Sequence, residues 1–95
     1  MADYFPFART LAMRLVDEEA RGHYECDAEE WFDDPDLAEW GVWFSLNYFD
    51  IAGEDYGGVE GGITITDPAG VEHDFVVTTA RNGDVDLARA WYAKA

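Results

Sequence analysis

The sequence predicts an α+β domain: a small three-stranded antiparallel sheet with an N-terminal and a C-terminal helix packed on one face. Three runs carry that expectation. FPFARTLAMRLVDEEARG has helical spacing, VWFSLNYFDI is dense in aromatic and β-branched residues, and GITITDPAGVEHDFVVTTA is two strand-like runs around a turn. Ninety-five residues suit one domain spanning 1–95, with room for a single core.

In the first run, Pro6 suits the first helical position and Gly22 suits the left-handed residue after the last turn. Phe7, Leu11 and Leu15 form an apolar row flanked by Ala8, Ala12 and Val16, and Asp17 stands four residues before Arg21 as a helical ion pair. Asp27 is placed to cap a short helix AEEWF, and Asp34 to cap PDLAEW, with Pro35 behind it and Gly41 as the stop. Both are short enough to be turns instead, and residues 23–26 also read as a short edge strand. In the strand at residues 42–51, Val42, Phe44, Leu46 and Tyr48 share one face. The other face holds Trp43, Ser45, Asn47 and Phe49, which suits a strand covered on both sides or covered by a partner. AGEDYGGVEGG reads as a flexible glycine-rich link. Asp67-Pro68-Ala69-Gly70 has proline at the second turn position and a glycine for positive φ. The end of the chain turns at Asn82-Gly83 and enters a closing helix capped by Asp84, with Leu87 and Trp91 on its buried side and Lys94 at its negative end.

Charge is the outlier. Twenty-one acids face five arginines and one lysine, a formal net charge of -15. Such a field repels nucleic acid and anionic membrane and draws in basic partners at a rate that salt weakens. Direct nucleic-acid binding is therefore excluded. A soluble domain needs a net charge of only about 2–8 in magnitude, and the excess costs stability through self-repulsion. The crowding peaks in ECDAEEWFDDPDLAEWG, which has eight carboxylates and no basic residue. The single cysteine, Cys26, forms no internal disulfide, and neither a membrane span nor a secretory signal is legible, so a cytoplasmic protein is expected.

No catalytic or cofactor signature is present, and the expectation is a protein that is not an enzyme and holds no metal or cofactor. His23, Cys26 and His73 lack the paired spacing of a structural zinc site; His73 reads as a surface residue and Cys26 as a small buried one. A Cys26–His73 dyad has no local signature. Neither DDPDLAEWG nor NGDVDL follows an EF-hand loop. Ser45 lies outside any nucleophile elbow, and GEDYGGVEGG lacks the lysine of a P-loop.

The acidic stretch is then expected to face a basic protein. Asp27, Glu29, Glu30, Asp33, Asp34, Asp36 and Glu39 would stand in for phosphates, and Trp31, Phe32 and Trp40 would anchor in a neighbouring apolar pocket, unless they turn into the core. Carboxylates along one helix recur at about 5 Å, too sparse against one phosphate per 3.4 Å of axis on each DNA strand. Parallel rows are needed, from several segments, such as the acids of residues 27–39 together with those near 50–60, or from a homodimer. In composition, though in no residue pattern, the chain resembles the small acidic DNA mimics that phages and plasmids use against restriction or CRISPR machinery. That resemblance implies a non-enzymatic inhibitor seated in the nucleic-acid groove of a host defence protein. An immunity protein against a basic toxin, an acidic adaptor, or a protein adapted to high salt are the alternatives.

Overall fold

The structure, a computed structural model, describes residues 3–51, 54–79 and 85–89, and the side chains of 3–50 and 58–78. Helix α1 (Phe5–Asp17) leads into strand β1 (Gly22–Asp27), helix α2 (Ala28–Phe32) and a 3-10 turn (Pro35–Leu37). Strands β2 (Gly41–Ile51), β3 (Glu54–Thr66) and β4 (Glu72–Thr79) follow, and a short fifth strand, β5 (Val85–Arg89), lies at the far edge. All neighbours pair antiparallel in the order β1-β2-β3-β4-β5. The class is α+β as expected, but the sheet is wider than three strands.

Two elements depart from expectation for identifiable reasons. The glycine-rich run taken for a link is, from Glu54 onward, the first half of β3, while residues 52 and 53 lie outside the described residues. Glycine weakens a strand on its own, but the run pairs with β2, with an irregular register between Phe49 and Ile51, and from Glu60 onward β4 pairs on its other side, which outweighs the propensity penalty. The closing helix is corrected over Val85–Arg89, which form β5 on the otherwise open edge of β4. Asn82, Gly83, Asp84, Trp91 and Lys94 lie outside the described residues.

The core lies between α1 and one sheet face. Ala8, Leu11, Ala12 and Leu15 are buried from the helix, against Val42, Phe44, Leu46, Val59, Ile63, Ile65, Phe75 and Val77 from the sheet. Phe7, expected in the buried row, is 46% exposed, with its ring edge-on to Trp40 at 5.1 Å. The small Ala8 and Ala12 take the inward stripe, allowing the helix to approach closely. The helix stops earlier than Gly22. Glu19 takes the left-handed conformation (φ 56°), its N–H bonds to the Val16 carbonyl at 3.0 Å, and the Ala20 N–H reaches Leu15 at 3.0 Å. Gly22 opens β1 instead. Because α1 ends at Asp17, Arg21 falls outside it, 3.8 Å from Glu19 and stacked over the Tyr48 ring.

The two short helical pieces form where expected, with unequal caps. Asp27 occupies the N-cap of α2 but makes no side-chain cap bond. Asp34 does cap its turn, accepting from the Asp36 N–H at 3.0 Å. Asp34→Ala should therefore cost about 1 kcal/mol, read as a lower urea midpoint, whereas Asp27→Ala should leave the midpoint nearly unmoved.

Candidate partner-binding surface

Strand register decides which acids share a surface. Val42, Phe44, Leu46 and Tyr48 face the helix, so Trp43, Ser45, Asn47 and Phe49 face the other way. Carried across the ladders, one row of that second face reads Glu25, Trp43, Thr64, Asp74. The next row reads Asp27, Gly41, Thr66, Glu72. A further row contains Asn47, Glu60 and Thr78. None of the described helices packs its buried residues on this face, and Phe49 and Val76 are exposed on it.

The arginines whose side chains are described are segregated from it. Arg9 and Arg14 lie on α1 and Arg21 just beyond its end. There Arg14 sits 3.7 Å from Glu18 and 4.4 Å above the Phe32 ring. Thus the acids at the end of α1 have arginines beside them, while among the described side chains the open face has carboxylates and no arginine or lysine. His23, beside Trp43 on that face, is the nearest approach to a cation; the two rings meet edge-on at 5.5 Å.

A groove of about 890 Å³ opens where β1 runs into α2 and the 3-10 segment runs into β2. Glu25, Asp27, Glu30, Glu39 and Glu72 line it, with the part-exposed Trp43. Cys26 is also in its wall, half-buried, and its thiol pKa is pushed up by burial and then by the nearby Glu30 and Asp27 carboxylates. The protonated thiol is a poor nucleophile. Cys26 and His73 stand in one cross-strand row, Cys26, Val42, Ile65, His73, three strand spacings or about 14 Å apart, which rules out a dyad. Nor do His23, Cys26 and His73 converge; no metal-holding cluster exists among the described residues. His73 is not a surface residue: its side chain is 13% exposed and bonded to Asp67. The hairpin turn has drawn it inward.

The ten residues expected to meet a partner divide into groups. Asp27, Glu30 and Glu39 line the groove, whereas the exposed Glu29, Asp33 and Asp36 do not, and Asp34 is engaged as a cap. Trp40 turns into the core, the alternative the sequence allowed: it is 7% exposed and packed edge-on against Tyr4 at 5.5 Å, while also lining the groove. Trp31 and Phe32 are half-buried, Trp31 edge-on against Phe44 at 5.2 Å and Phe32 beneath Arg14. The aromatic residues presented among the carboxylates are the exposed Tyr24 and the half-buried Trp43. The signal for Trp43 lay in the second face of VWFSLNYFDI, apolar where a solvated strand would be polar. Glu60 belongs to the acids near 50–60 expected to add a second row, whereas Glu25, Glu72 and Asp74 fall outside the expected site because their shared face depends on register.

No protein-family model, curated protein or solved structure matches this chain. Among the described residues, no helix is long and apolar enough to cross a membrane.

Proposed function

We propose that this chain is a non-enzymatic acidic inhibitor acting in the cytoplasm. It occupies the basic nucleic-acid-binding groove of a partner, such as a restriction or CRISPR complex, as a DNA mimic. The observation that carries this reading is the charge segregation: a sheet face and groove of carboxylates, with Arg9, Arg14 and Arg21, the arginines whose side chains are described, kept to the helix side. Parallel rows also support it. Glu25 and Asp27 on β1 are about 6.8 Å apart, two base steps of one DNA strand, as are Glu72 and Asp74 on β4. The two rows stand about 14 Å apart, on the scale of the roughly 12 Å major groove. One chain supplies both rows.

Immobilised protein, incubated with a host lysate at low salt, should retain a nucleic-acid-binding protein that duplex DNA displaces at constant ionic strength. A variant carrying E25Q, D27N, E30Q and E39Q should bind that partner about tenfold or more weakly and show a flatter salt dependence. If DNA fails to displace the retained proteins, or the neutralised variant binds as well as the parent, the mimic reading fails.

A further inference from the structure

We infer that the groove seats an arginine side chain of the basic partner, its guanidinium stacked on Trp43 and paired with Glu25; this rests on the proposed function. Among the described residues no helix packs on this face, and its charge is complementary to a cation. Two features select arginine among cations. Trp43 lies directly opposite Glu25 across the β1–β2 ladder, so an indole and a carboxylate stand side by side at cross-strand distance. Toward β3 the ring lies near Gly62, which has no side chain and where even an added Cβ would remain 3.9 Å from Cζ3, while on the β1 side the His23 ring meets the indole edge-on at 5.5 Å. Tryptophan is the strongest aromatic partner for a cation, and a planar, weakly hydrated guanidinium can stack on indole while its edge meets a carboxylate. A lysine ammonium holds its water more tightly and has no plane to stack. Asp27, Glu30 and Glu39 add long-range attraction that any cation feels equally.

The test uses the full chain and two fluorescent peptides of equal length and charge, one alternating arginine with glycine and the other lysine with glycine. At low salt, anisotropy titration should show the arginine peptide binding about five- to tenfold more tightly. It should also shift the indole N–H resonance that disappears in W43F. Trp43→Ala should remove the preference while leaving salt-sensitive binding of both peptides. Should W43A fail to fold, Glu25→Gln provides the second arm, weakening the arginine peptide more than the lysine peptide. Equal affinity for the two peptides, or a preference that survives loss of the indole, would overturn the arginine seat and leave the acidic-partner reading standing. Failure of both peptides to bind would overturn the two together.

Discussion

Gly61→Ala is expected to destabilise the domain by about 3 kcal/mol, a large share of the 5–15 kcal/mol typical of a folded domain. Gly61 has φ 148°, a backbone region open almost only to glycine. A Cβ there would stand against the Ser45 carbonyl oxygen of the neighbouring strand, far inside contact distance. Both obstacles are backbone, so relief requires β2 and β3 to separate where they pair Leu46 with Gly61. Two nearby glycines calibrate the claim. At Gly58 the added Cβ would meet the ring of Phe49, but that side chain is 41% exposed and can swing away, so the cost is smaller. At Gly62 the nearest atoms are 3.6 and 3.9 Å away, and alanine should be within about 1 kcal/mol of neutral. Urea titration of the three variants should give a markedly lowered midpoint for G61A alone, with an unchanged slope. A normal midpoint for G61A would mean that β2 and β3 do not approach as described.

Asp67→Ala should cost about 2–4 kcal/mol, the second-largest effect. Asp67 is 4% exposed at the start of the β3–β4 turn. One carboxylate oxygen accepts from the Ala69 N–H at 2.8 Å and the Val71 N–H at 3.1 Å. The other accepts from His73 Nε2 at 2.8 Å, which must carry the proton because a carboxylate only accepts. Proline at the second position and Gly70 at φ 84° complete the turn, as the sequence predicts. Alanine would leave two amides and an imidazole without their acceptor.

The same site makes stability depend on pH. Burial pushes the Asp67 carboxyl pKa up, but the hydrogen bonds from His73, Val71 and Ala69, with the attraction of His73, outweigh it and hold the pKa below its ordinary 3.8. A pKa lowered on folding stabilises the fold above the unfolded value, and that contribution disappears as pH falls through the folded one. The stability gap between the parent and Asp67→Asn should thus be widest near neutrality and shrink below about pH 4. A gap independent of pH would show that the ionised form contributes nothing.

The candidate site was less legible than the fold. Helix α1, strand β2 and the 67–70 turn each announce themselves through local chemistry: a helical apolar row, a β-branched and aromatic run, and Asp-Pro-Ala-Gly. The expected acidic site followed the local density of carboxylates in residues 27–39. Density along the chain, however, is not density in space. Four of the seven acids in that stretch do not line the groove, and Glu72, far along the chain, comes into it. Trp40 and Trp43 are three residues apart and both line the groove, yet Trp40 is buried in the core and Trp43 is half-exposed.

Composition alone fixes the net charge of -15 and therefore the sign of any attractive partner, and local patterns fix the elements whose signals are local. Tertiary pairing alone decided that the glycine-rich run is a strand, that Val85–Arg89 extends the sheet, and that Glu25, Asp27, Glu72 and Trp43 meet in one groove. The physical reason lies in the two-residue period of a strand: sliding any ladder by one residue moves every side chain to the opposite face. Charge is a sum over residues and can be read without coordinates, whereas a face exists only once the register between strands is set.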